Sequence, residues 1–172
     1  MEEKGEKMTD SDKITETKMQ AILMNWVMNE RHHLYTVPNS TVIFNWESDL
    51  ISVTKALLTH EFEIKISLAD FRKDAKKKSK HSYLTNPNAK YIPNYFWYAT
   101  YGDFEIEPPA HAGWIKITKT ATWYNLAIKK DAPRLTDRKL SEQKQFDIAR
   151  LLSFRLTNIY RGYLQSGKTK ES

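Results

Sequence analysis

The stretch WESDLISVTKALLTHEFEIKISLADFRKDAKKKSKH, residues 46–81, decides how this chain is read. At its centre, HEFEIKIS (60–67) alternates. Phe62, Ile64 and Ile66 fall on one face of an extended segment, and Glu61, Glu63, Lys65 and Ser67 on the other. A strand buried on both sides does not ordinarily hold a row of charges. The polar face is therefore either solvated, with Glu63 and Lys65 forming a surface ion pair worth about 0–1 kcal/mol, or it lines a site.

Working outward, Ser67 is placed to cap a helix, with Asp70 at its third position as a capping-box variant. That helix is expected to run to about Lys80. Leu68, Phe71 and Ala75 supply its apolar side, and Lys73, Lys76, Lys77 and Lys80 form a basic stripe at i, i+3, i+4 and i+7. Upstream, Val42–Phe44 and Leu50–Val53 read as two further strands, giving a three-stranded meander with 62–66. Before the meander, Met19, Ile22, Leu23, Trp26 and Val27 repeat at helical spacing within 14–31. After the basic helix come strands at 95–100, 114–117 and 123–128. A last helix over 141–164 has Phe146, Ala149, Leu152, Leu156, Ile159 and Tyr163 as its expected buried stripe. The order is α-β-β-β-α-β, then extra strands and a helix: an α/β layered domain with a mixed sheet over 14–165, between tails at 1–13 and 166–172 expected to be disordered.

Composition narrows the function classes. In 172 residues there is no cysteine, which excludes disulfides and thiolate metal sites. The first residues are charged and lack the apolar run of a secretory signal. No stretch approaches the roughly 20 apolar residues of a membrane span, so a cytoplasmic protein away from membranes is expected. The net charge is +6, and the segment from Lys65 to Lys90, with eight Lys and Arg against Asp70 and Asp74, accounts for all of it. Charge gathered into one helix and its flanks points to a polyanion, nucleic acid before membrane. No Gly-rich phosphate loop or nucleophile elbow is present, which argues against ATPase and serine-hydrolase chemistry.

In a meander, Asp49 can lie across from Glu63. Two carboxylates held close repel unless a cation lies between them, and oxygen ligands suit Mg²⁺ or Mn²⁺, with the Ile64 carbonyl as a further donor. Lys65 then positions a water or stabilises charge on a phosphate. An acid, an acid and a lysine make a minimal phosphodiester hydrolase.

Asp49 followed by Glu63-Ile64-Lys65 at the end of the next strand resembles the signature of the PD-(D/E)XK nuclease superfamily, whose restriction-endonuclease-like core has the same α-β-β-β-α-β order. Residues 46–81 are similar to small phage and bacterial members. Through EIK-S-DF-D and PNYFWYA (93–99) they are similar, more loosely, to the DNA-repair-associated MmcB-like branch. The resemblance implies a magnesium-dependent deoxyribonuclease. Asp49 and Glu63 would be metal ligands, Lys65 catalytic, Glu47 an accessory ligand, and either Glu16 or Glu30 of the first helix a further acid. Arg72, Lys73, Lys76, Lys77 and Lys80 would contact the DNA backbone, and a homodimer would let both strands be cut. Ser48 stands where the superfamily often has proline. The alternative expectation is a DNA-binding or assembly module that keeps the fold without cleaving.

Overall fold

The computed structural model describes residues 14–75, 78–86 and 88–167. Helix α1 (Glu16–Asn25) begins where the Thr15 hydroxyl accepts the Lys18 amide at 3.2 Å, and it continues into a π-helical turn over Trp26–Glu30. Strands β1 (Tyr35–Ser40), β2 (Ser48–Val53) and β3 (Thr59–Lys65) follow. Then come α2 (Leu68–Ala75), α3 (Lys78–Leu84), β4 (Tyr95–Tyr101), β5 (Ala112–Lys119), β6 (Tyr124–Lys130) and α4 (Glu142–Gly167).

The six strands lie in sequence order in one open sheet. β1, β2 and β3 form the expected antiparallel meander. β4 runs parallel to β3 and β5 parallel to β4, while β6 returns antiparallel. The crossover from β3 to β4 carries α2 and α3, as a parallel pair requires. The chain is thus an α/β structure on a mixed sheet.

The sheet is covered on both faces. On one, α1 buries Met19, Ile22, Leu23 and Val27 against Leu50, Phe62, Ile64, Ala99, Ile115 and Ile117. On the other, Phe71 and Leu84 of α2 and α3 pack on Phe96, Tyr98, Ala112 and Trp114. Toward the meander edge, Ile148 of α4 packs on Val37, Ile51 and Val53.

Three expectations are corrected. The first strand is Tyr35–Ser40, not Val42–Phe44. Proline at position 38 is tolerated because β1 is an edge strand. Ile43 and Phe44 are buried, but by packing beneath α4 rather than by strand pairing. Second, the basic segment forms α2 and then α3, the latter reaching Leu84 instead of ending at Lys80. Third, α4 extends to Gly167, so the expected tail from 166 begins inside a helix. The expected tail over 1–13 lies outside the described residues, as do 168–172.

Candidate active site

The polar row of β3 is buried. Glu61, Glu63 and Lys65 are 0%, 7% and 5% exposed, and Phe62 and Ile64 between them are buried against α1. A row of charges survives there because each member is paired. Lys65 Nζ lies 2.8 Å from Glu63 Oε1, and Lys80 Nζ lies 2.6 Å from Glu63 Oε2 and 3.0 Å from Glu61 Oε1. Glu61 Oε1 also accepts the indole N–H of Trp46 at 2.7 Å and the Ser48 hydroxyl at 2.8 Å. Lys65 Nζ is 3.7 Å from Asp74, whose Oδ2 accepts the Tyr98 hydroxyl at 2.8 Å. His81 Nε2 approaches the same hydroxyl at 3.1 Å, and His81 Nδ1 lies 3.0 Å from His111 Nε2.

The meander brings Asp49 to this cluster. Strand pairing between β2 and β3 runs from Val53↔Thr59 to Leu50↔Phe62. Beyond it, the side chain of Asp49 replaces the ladder, its Oδ2 accepting the Ile64 amide at 2.7 Å. Gln20 of α1 donates to the Asp49 carbonyl at 2.9 Å, which ties the first helix to the same end of the sheet.

Among the described residues, the carboxyl groups of Asp49, Glu61, Glu63 and Asp74 gather around the ammonium groups of Lys65 and Lys80. Burial pushes the Asp49 carboxyl up to about 7, and the charge of Glu63 adds to the rise. Burial likewise raises Glu61, against the pull of Lys80. For the two lysines burial works downward, but the carboxylates beside them win and hold both above the ordinary lysine range. Both are ammonium ions, not bases.

Asp49, Glu63, the Ile64 peptide and Lys65 are therefore together. Glu47 is exposed, one residue before β2. Of the first-helix acids, Glu16 is close enough to raise the Asp49 pKa, whereas Glu30 lies beside Thr54–Ala56 at the opposite end of β2. Arg72 and Lys73 are exposed on α2, while Lys76 and Lys77 lie outside the described residues. Lys80 departs from its expected place on a solvent stripe. It points inward, its ammonium 5.0 Å from the Phe96 ring centre and 5.6 Å from that of Trp46. Two buried carboxylates outweigh helical periodicity at that position.

Sequence reasoning assigned no site role to Glu61, Trp46, Ser48 or Tyr98, gave Lys80 a DNA-backbone role on a solvent face, and counted Asp74 only as a charge opposing the basic segment. Only Glu61 carried a signal, through its shared alternation with Glu63 and Lys65. His81 and His111 are thirty positions apart, and nothing in their spacing marks them as neighbours.

Among the described residues, no group of three or more His, Asp or Glu side chains is disposed to hold a metal. Two carboxylates and a peptide carbonyl remain, which suits a small hard ion that retains several waters. The pKa of the Asp49 carboxyl is raised chiefly by burial and then by the charge of Glu63, so its shift marks a desolvated acid near a second one and is not by itself the mark of a cation. Both oxygens of Glu63 carry an ammonium, so ligation by Glu63 requires one of them to swing aside.

No protein-family model matches this chain, and no curated protein does. A solved structure of a Silicibacter pomeroyi protein of unknown function is similar to it. The likeness has a TM-score of 0.59 at 19% identity, over 86% of this chain and 92% of that one. At that identity the likeness concerns the fold. Among the described residues no helix is long and apolar enough to cross a membrane.

Proposed function

We propose that this chain is a metal-dependent nuclease with a restriction-endonuclease-like core, hydrolysing DNA phosphodiesters. One observation carries the reading: Asp49 and the Glu63-Ile64-Lys65 triplet converge, largely buried, where β2 and β3 stop pairing. The order α-β-β-β-α-β, with β4 parallel to β3, supports the same reading.

Asp49 and Glu63 are the residues that would hold Mg²⁺ or Mn²⁺, with the Ile64 carbonyl beside them. A bound divalent ion supplies Lewis acidity toward the phosphate and a more acidic water. Water adds to phosphorus, the bond to one sugar oxygen breaks, and the products are a phosphomonoester and a hydroxyl. Lys65 remains an ammonium and stabilises the charge that grows on the phosphoryl oxygens. Lys80 offsets Glu61, keeping that buried carboxylate from adding to the repulsion around Glu63. Arg72 and Lys73, joined by Lys76 and Lys77, contact flanking phosphates without reading sequence.

The test is cleavage of labelled linear, branched and single-stranded DNAs with Mg²⁺, Mn²⁺ or EDTA, beside Lys65→Ala and Asp49→Asn. Cutting that needs the metal and is lost in both variants supports the enzyme. The second reading, a module that binds DNA without cutting it, draws on the two lysines that already satisfy Glu63. Retention of DNA by a protein that never cleaves would favour it.

A further inference from the structure

Away from Glu63, a cavity of about 210 Å³ opens between the start of β3 and the start of α4. Its floor is apolar, with Phe44, Ile92 and Leu140 buried there. Its walls are cationic: Lys90, Arg138, Lys139 and Lys144 line it, and no lining residue among those described is acidic. Tyr91 lines it too, with 52% of its surface exposed.

Hydrogen bonds fix these walls. The side chain of buried Asn94 accepts the Thr59 amide at 2.7 Å and donates to the carbonyls of Thr136 and Arg138 at 2.7 and 2.8 Å. The Leu140 amide donates to the carbonyl of Leu57 at 2.8 Å, and Leu57 holds a φ of 61°, a left-handed conformation rare for leucine. Residues 136–140 belong to no helix or strand, and these bonds hold them in place.

The cations are not spent on this framework. Lys144 donates to the Val42 carbonyl at 2.7 Å and lies 3.7 Å from Asp147, and Arg138 gives one N–H to the Lys90 carbonyl at 2.9 Å. Among the described residues, no carboxylate forms an ion pair with Lys90, Arg138 or Lys139. Asp137, beside Arg138, pairs with Arg134 instead, at 2.9 Å. Like charges gathered about an apolar hollow repel one another, and an anion bound between them relieves that repulsion.

We infer that this cavity binds a small phosphomonoester carried on a flat ring, the chemistry of a nucleoside monophosphate. Such a group brings a charge near −2 and three acceptor oxygens, which suits the Arg138 fork flanked by ammonium groups. A carboxylate brings about half that charge. The apolar floor and Tyr91 cover the ring, since an aromatic side chain stacks on a flat partner. The volume is below the ~300 Å³ at which drug-sized pockets begin, so the ligand is small. A DNA backbone has no ring to set on the floor without leaving its stack, and each of its phosphates carries a single charge. No lining residue belongs to the Glu63 cluster, so this pocket is independent of the nuclease reading.

Binding to the full chain is measured by equilibrium dialysis in buffer without divalent ions, with AMP, phenyl phosphate, adenosine and inorganic phosphate as probes. At least one of the two phosphomonoesters is expected to bind about tenfold or more tightly than adenosine and inorganic phosphate. Arg138→Gln and Lys139→Gln should each weaken it by about tenfold. Lys139 is exposed, so the thermal midpoint of its variant should match that of the wild type. Lys55→Gln, which removes an exposed cation elsewhere, should leave the affinity unchanged. Inorganic phosphate binding as tightly as the esters, an affinity that survives both Arg138→Gln and Lys139→Gln, or no retention of either ester at millimolar concentration each overturns the assignment. So does a short single-stranded DNA whose binding depends on Arg138 and Lys139 while that of the esters does not.

Discussion

Lys80 holds the two buried carboxylates of β3 apart, its ammonium 2.6 Å from Glu63 and 3.0 Å from Glu61. Removing one partner of a buried pair leaves the other charged without compensation. Lys80→Met is expected to cost about 3–5 kcal/mol in urea unfolding, and adding Glu61→Gln should recover much of the loss. Asp49 works in the opposite sense. Its folded pKa is raised to about 7, so ionising it costs stability progressively as pH climbs from about 4 through 7. Asp49→Asn should therefore stabilise the metal-free protein by about 1–3 kcal/mol at pH 8, with the gain vanishing near pH 4. If Asp49 is a ligand, added Mg²⁺ should stabilise the wild type and leave the variant unmoved. His60 governs the acid side. Its Nδ1 accepts the Trp97 indole N–H at 3.1 Å, and burial drives its pKa down to about 3. Below about pH 6.5 the unfolded chain takes up this proton and the folded one does not. Stability should fall by about 2 kcal/mol between pH 8 and pH 5 from this group, and His60→Gln should lessen the total fall by about that much, leaving the part due to His33, whose pKa burial lowers to about 4.

Among the elements, β5 makes the tightest demand on its sequence. A Cβ built on Gly113 would lie 2.5 Å from the Trp97 ring and 2.6 Å from the backbone nitrogen of Ala132. The ring is wedged and the backbone does not yield, so Gly113→Ala should destabilise by about 3 kcal/mol in thermal or urea unfolding. β3 and α2 were legible because their signals are local. Alternation sorted Phe62 and Ile64 from Glu61, Glu63 and Lys65, and Ser67 does accept the Asp70 amide, at 3.1 Å. β1 was not, because a proline in an edge strand looks like a break, while the β-branched residues after it look like a strand. Ile43 and Phe44 are apolar for the sake of α4, an element about a hundred residues away in sequence.

At the scale of the molecule, the +6 charge divides between two uses. Lys65 and Lys80 are committed inside, while Arg72 and Lys73 remain on the surface. If the surface pair grips phosphates, Arg72→Gln and Lys73→Gln should each lower the salt slope of DNA binding by about 0.9, measured by fluorescence anisotropy, without changing sequence preference. The helices divide between the faces of the sheet, α1 on one and α2, α3 and α4 on the other. The sequence by itself determined the strands and helices with strong periodicity, the cap at Ser67 and the shared face of Glu61, Glu63 and Lys65, since these depend on dihedral preferences and neighbours a few residues apart. Only the tertiary structure decided that Lys80 turns inward, that Glu16 and not Glu30 approaches Asp49, that Trp46 and Tyr98 complete the buried network, and that α4 buries Ile148 while Phe146, Ala149, Leu156, Ile159 and Tyr163 of its expected stripe are exposed. Those outcomes depend on which distant groups share a space without water, where an unpaired charge or an uncovered apolar face has its largest energetic consequence.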